Sequence, residues 1–378
     1  MRLRSAAMLA WRLLTHDRAR LRSSVAGVAF AVLIMLLQLA FRTALLDSSL
    51  ALLRALDADL IVLHRDKMPF LARVSMPDTR VYQTRAVEGV AAAYPFWIGA
   101  ERWRNPEDGT ERRIRLIAFE PDKPVFRADD ARFAGVDWGS PDAAFLDSKS
   151  RRYYGPIAEG PAVVAREAIH VRSLFTLGTD FEMDGNLIVR PELFERLTGS
   201  STRAVAAALV KTAADADVDD VADRLRAALP GDVSVQTKAD LIARDVDYWD
   251  RRTPVSFILL AGLAIGFAAG IVICYQILYT DVLDHLAEFA TVVAMGYSRT
   301  HILAVVGVES VLLSVMGFVP AVIVNDAINA IVSDLTGLPM QLTWRRLAMV
   351  LGLTVAMSMA AGAAAAARMK QSDPAELF

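Results

Sequence analysis

The chain has 378 residues, 54% of them hydrophobic and 22% charged, with a net charge of −2. So apolar an average is not that of a soluble protein of this length, and the charges are gathered between long apolar runs, so the bulk reads as membrane protein. No basic tract interleaved with aromatics is present, which sets nucleic acid aside as a partner, and the single cysteine, Cys274, excludes a disulfide framework or a thiolate metal site.

Residues 1–22 place Leu3, Met8, Trp11, Leu14 and Leu21 among Arg2, Arg4, Arg12, Arg18, Arg20 and Arg22, the composition of an amphipathic helix lying along headgroups. These arginines face a single acid, Asp17, and by the positive-inside rule they put the N-terminus in the cytoplasm. The apolar run from Val25 to Phe41 predicts a first transmembrane helix over residues 23–46. It is marginal, since a hydrocarbon core about 30 Å thick needs about 20 apolar residues. The residues after it, Phe41-Arg42-Thr43-Ala44-Leu45-Leu46, make a poor cleavage site, so it reads as a retained span rather than a signal peptide.

Residues 47–254 form a dense polar block. Leu46, Leu50, Leu53 and Leu56 keep helical spacing, and Asp59 to Leu63 reads as a strand. Strand-type runs follow at Arg113 to Phe119, Asn186 to Val189, Val205 to Val210 and Val233 to Gln236. Helical runs lie at Pro191 to Leu197, Asp217 to Leu229 and residues 239–253, the middle one ending at a Pro230-Gly231 turn. That mixture predicts a compact α+β domain. Residues 121–185, rich in Pro, Gly and Asp, resolve into no pattern.

Three further apolar runs predict spans at residues 255–279, 302–324 and 347–367. The expected fold is an α-helical membrane protein with four transmembrane helices in a 1+3 arrangement and an α+β periplasmic domain inserted between the first and second. Residues 280–301 and the tail 368–378 then lie inside, and the short loop 325–346 outside. Arg345 and Arg346 on the outer side run against the charge rule, and the larger N-terminal bias decides. Gly262, Gly266 and Gly270 share one face of the second span, spacing that lets helix backbones approach closely. The partner is another span of this chain or of a second copy, and Thr354, Ser358, Gly362 and Ala366 of the fourth span repeat the interval. Glu309 is the one acid well inside an apolar run. With no second ionisable group within the spans it reads as a lone acid satisfied by neighbouring helices rather than a proton relay.

No G-x-x-x-x-G-K-[ST] phosphate loop, H-E-x-x-H zinc motif or G-x-S-x-G nucleophile elbow occurs, so the chain reads as no enzyme, with no cofactor or metal of its own. The inner loop is more informative. From Leu286 to Ile302 (LAEFATVVAMGYSRTHI) a short helix with Phe289, Val292, Val293 and Met295 stops at Gly296, which fits a knob for a groove on another protein.

Glu288 to Tyr297 (EFATVVAMGY) resembles the cytoplasmic coupling helix of the MacB and FtsX class of ABC transporter permeases, and Ser372 to Leu377 (SDPAEL) resembles the D-P-A-E-A-L ending of that class. Leu36 to Ser48 (LLQLAFRTALLDS) and Tyr279 to His285 (YTDVLDH) are similar to the DevC type, with Ala40 and Ala294 where a glycine or a bulkier residue often stands. The resemblance implies a homodimeric permease of the bacterial inner membrane, both termini cytoplasmic, working with two copies of a separate ATPase that binds ATP and magnesium. It also implies a periplasmic adaptor protein, an outer-membrane duct beyond it, and export across the envelope by mechanical transmission. On that pattern Glu288, Phe289, Thr291, Val292 and Met295 enter the ATPase groove, Gly296 ends the helix, and Asp373 and Glu376 lie near the ATPase surface. Relatives of the same layout include regulators of wall hydrolases and lipoprotein-releasing permeases, and a membrane-anchored receptor without an ATPase is the rival from another class.

Overall fold

The computed structural model describes residues 2–121, 123–127, 130–133, 138, 140–285, 291, 295 and 299–369. In chain order the helices are α1 (Arg2–His16), α2 (Arg18–Ser49), α3 (Ala51–Ala55), α4 (Thr79–Arg85), α5 (Pro191–Thr198), α6 (Val218–Ala228), α7 (Lys238–Asp247), α8 (Pro254–Asp284), α9 (Arg299–Thr336) and α10 (Trp344–Met369). The strands are β1 (Leu60–His64), β2 (Met76–Pro77), β3 (Val90–Arg104), β4 (Glu111–Phe119), β5 (Ala143–Asp147), β6 (Gly160–Val164), β7 (Glu167–Phe175), β8 (Asn186–Val189), β9 (Ala204–Val205), β10 (Ala207–Thr212) and β11 (Val233–Thr237). They divide into two compact units: Met1–Thr43 with Pro254–Ile331 and Met340–Phe378, and Ala44–Thr253 with Val332–Pro339.

The second unit is built on a mixed sheet ordered β11-β1-β10-β3-β4-β8-β5-β7-β6, in which β6 also pairs with β3 through Trp103 and Arg104, so the last six strands close into a ring. The pairs β4–β8 and β5–β7 are parallel. Successive side chains of a strand point to opposite faces, and here both faces are covered. Leu60, Val62, Leu116, Ala118, Leu187 and Val189 join one core, while Ile61, Leu63, Ile117, Phe119 and Ile188 join the other. Double burial is why these strands read in the sequence as short continuous apolar runs. The amphipathic α6 starts where Asp217 accepts hydrogen bonds from the backbone of Asp219 and Asp220, and it buries Val221, Ala222 and Leu225.

β3, the longest strand, was not predicted. Pro95 and Gly99 interrupt it, residues that argue against a strand, yet Pro95 stands opposite Ala208 and Gly99 opposite Leu116 in the ladder. Gly99 serves packing: a Cβ there would stand 2.9 Å from Phe194 Cε2. The stretch 121–185, which showed no pattern in the sequence, holds β5, β6 and β7.

The first unit is helical, and among the described residues four helices are long and apolar enough to cross a membrane: Arg18–Ser49, Pro254–Asp284, Leu303–Thr336 and Trp344–Ala367. One precedes the sheet in chain order and three follow. The marginal first run belongs to a helix of 32 residues that is the central one, with 44% of its apolar window buried against 17% for α8. Val28, Ala31, Val32, Met35 and Leu36 of α2 are fully buried among Cys274 and Leu278 of α8, Leu313 of α9 and Met357 and Ala361 of α10. α8 presents Phe257, Ile258, Ile265 and Val272 outward, an apolar surface suited to hydrocarbon.

Two boundaries differ from expectation. The N-terminal helix ends at His16 rather than at residue 22, because Asp17 accepts hydrogen bonds from the backbone of Ala19 and Arg20 and so starts a new helix. The loop predicted at residues 325–346 is mostly helix: α9 runs on to Thr336, hidden in the sequence by Asn325, Asp326 and Asn329, and stops at Gly337, whose φ of +71° suits a helix end. Residues 332–339 belong to the sheet unit, where Thr336 accepts hydrogen bonds from Arg151 Nε at 3.2 Å and Thr179 Oγ1 at 2.8 Å. Arg346, counted as a loop charge, is buried.

Candidate functional site

The predicted coupling segment lies in the chain between the end of α8 and the start of α9. Of its predicted site residues, Glu288, Phe289, Val292 and Gly296 lie outside the described residues, as do Asp373 and Glu376 of the tail. Thr291 and Met295 are described. Both are exposed, and Met295 N donates to Thr291 O at 3.0 Å, the i to i−4 bond of one helical turn. Met295, 66% exposed, is a large apolar side chain displayed to solvent.

What anchors the start of this segment is a charged cluster inside the helical unit. α8 does not stop at Tyr279 but continues to Asp284, carrying Asp281 to a buried position, 7% exposed. Arg20 of α2 ion-pairs with Asp284 and approaches Asp281 with Nη2 at 3.5 Å from Oδ1. His285 Nδ1 donates to the backbone carbonyl of Asp281 at 2.9 Å. One guanidinium thus ties the first residues of α2 to the last turn of α8.

Glu309 completes the cluster from α9, nearly three turns into the helix. It is 1% exposed, and neither carboxyl oxygen receives a hydrogen bond. Glu309, Asp281, Arg20 and Asp284 line one cavity of about 210 Å³. Asp281 Oδ2 also lacks a hydrogen-bond partner there. The expectation of a lone acid satisfied by neighbouring helices is therefore corrected on both counts. A second ionisable group stands beside it, missed because Asp281 lies two residues beyond the apolar run while the helix goes on, and no donor satisfies it.

The glycines of α8 have their partners within this chain. A Cβ at Gly266 would stand 2.9 Å from Ile34 Cγ2, and one at Gly270 would stand 3.1 Å from Ala31 Cβ, both on α2, while Gly262 meets Gln38. The fourth apolar helix shares the contact at Gly270 through Met357. The face the sequence left open between two partners is thus an intramolecular seam, formed mainly with α2.

Residues 258–374 match the family described as FtsX-like permease C-terminal. No curated protein matches the chain. Among solved structures, the extracellular domain of the noncanonic ABC-type transporter YknZ from Gram-positive bacteria is 12% identical at a TM-score of 0.33, covering 48% of this chain and 99% of that one. The periplasmic region of MacB from Actinobacillus actinomycetemcomitans is 8% identical at a TM-score of 0.35, covering 50% of this chain and 92% of that one. Over residues 258–374 the chain is thus similar to the FtsX-like permease C-terminal family.

Proposed function

We propose that this chain is the permease subunit of an ABC-type exporter of the bacterial inner membrane, working as a homodimer with two copies of a cytoplasmic ATPase. ATP hydrolysis belongs to the partner. The chain transmits its motion from the segment between α8 and α9, through the four spans in their 1+3 arrangement, to the sheet unit in the periplasm. There an adaptor protein of the DevC-type assembly receives it and leads the cargo toward an outer-membrane duct. The observation that carries this reading is the FtsX-like permease match, which takes in α8, the coupling segment and α9 together. The absence of a phosphate loop from the sequence agrees, since the energy must enter from another chain.

Phe289 and Met295 are the apolar knobs of this coupling. Burying a side chain of that size contributes roughly 1.5–3 kcal/mol, so removing one weakens docking about tenfold or more. Phe289→Ala and Met295→Asp are expected to uncouple ATP hydrolysis from export while leaving the helical unit folded. Assaying both activities in proteoliposomes with the co-purified ATPase checks this. Normal export in both variants contradicts the assignment, and co-purification with a wall hydrolase in place of an adaptor turns the reading to a regulator.

A further inference from the structure

We propose that Glu309 and Asp281 form a binding site for a single exchangeable proton, held between their carboxyl groups in the cavity at the end of the helical unit. The reading stands on geometry and does not depend on the identity of the ATPase or the cargo. Two ionised carboxylates are both acceptors, so a pair within hydrogen-bond reach is held together only when one of them donates. Glu309 and Asp281 line one cavity, both are buried, and among the described residues no donor reaches Glu309 Oε1, Glu309 Oε2 or Asp281 Oδ2.

The surroundings do not supply that donor. From α2, Arg20 donates through Nη1 to Asp284, and its Nη2, 3.5 Å from Asp281 Oδ1, makes no hydrogen bond to Glu309. From α8, His285 spends its Nδ1 proton on the backbone carbonyl of Asp281. His16 and Asp17, before α2, line the same cavity, as does the largely exposed Asp284. Among the described side chains α10 contributes none to the cavity lining, its Gly362 packing against Ser310 and Val306. With Glu309 ionised, four carboxylates, Asp17, Asp281, Asp284 and Glu309, and one guanidinium line the cavity, and two like charges side by side at its buried end repel strongly. A proton removes one of them. A divalent cation does not fit as well, because the Arg20 guanidinium already occupies the acidic cluster, and among the described residues no group has metal-ligating geometry.

The site opens toward the aqueous phase through His16, Asp17 and Asp284, so the proton exchanges on that side rather than across the bilayer. Its loss sets Glu309 of α9 against Asp281 of α8, the two helices that flank the coupling segment, and biases them apart.

Infrared spectroscopy of the full-length protein in lipid vesicles at neutral pH tests this by subtracting the Glu309→Gln spectrum from that of the wild type. The expected difference is the loss of one carboxylic-acid carbonyl band, which moves in heavy water as an exchangeable acid does. Loss of a carboxylate band instead means Glu309 is ionised and overturns the proposal, and so does an acid band that does not move in heavy water. In Asp281→Asn the Glu309 signal is expected to shift or to become a carboxylate. An unchanged Glu309 band shows an acid that shares nothing with Asp281 and overturns the pair. Unaltered amide bands in each variant report that the helices remain folded.

Discussion

Arg115 shows how much of this fold rests on single buried polar residues. Its side chain and that of Asp180 are each 4% exposed, and they form an ion pair within the sheet unit. Arg115 Nη1 also donates to Asn186 Oδ1 at 3.2 Å, and Asn186 Nδ2 donates to Asp147 Oδ2 at 2.8 Å. Removing one partner of such a pair strands the other charge. Arg115→Leu is expected to destabilise the sheet unit by about 3–5 kcal/mol, read as a lower denaturant midpoint, whereas an unshifted midpoint contradicts this role. Lys67 is the opposite case, a buried cation whose burial pushes its ammonium down to about 8, with Asp245 offsetting part of that. Its Nζ donates to the carbonyls of Ala72 and Val74. The sign follows from proton counting. Between about pH 8 and the ordinary lysine value of about 10.4 the unfolded chain binds more protons at this site than the native one, so Lys67 contributes stability that rises with pH, by roughly 3 kcal/mol across the window. Wild type should therefore gain on Lys67→Met between about pH 7.5 and 9.5 in denaturant titrations, and parallel profiles would refute it. Neither network was legible in the sequence, because each joins residues far apart along the chain. Glu309 was legible as an oddity, but its neighbour was not, since hydropathy marks where a run ends and not where a helix does.

Among the elements, α8 depends on its small residues. Its glycines let α2 approach until Ile34 and Ala31 touch the α8 backbone. Gly266→Val should cost roughly 1–3 kcal/mol by overpacking this seam, seen as a lower unfolding temperature in detergent micelles, while unchanged melting would place the seam elsewhere. The long helices and the α6–β11 hairpin were legible because each carries its own period, its own cap or its own turn. β3 was not, because its proline and glycine are tolerated only by partners the local sequence does not contain: β10 and β4 in the ladder, and Phe194 over Gly99. The same holds for β5 to β7, whose order in the sheet departs from their order in the chain. The end of α9 is a third instance, with asparagines inside a helix that composition alone would stop.

For the whole molecule, the central claim is that force enters at the coupling segment and leaves through the sheet unit on the other side of the bilayer. The layout makes this claim accessible to labelling. Tyr82, 61% exposed in the sheet unit, and Met295, 66% exposed in the coupling segment, are sites for single cysteines, and Cys274, the one native cysteine, is buried and replaceable by serine. In spheroplasts treated with a membrane-impermeant maleimide, Tyr82→Cys is expected to react at once and Met295→Cys only after the membrane is permeabilised. Equal labelling of both before permeabilisation would put the two on one side and contradict the account.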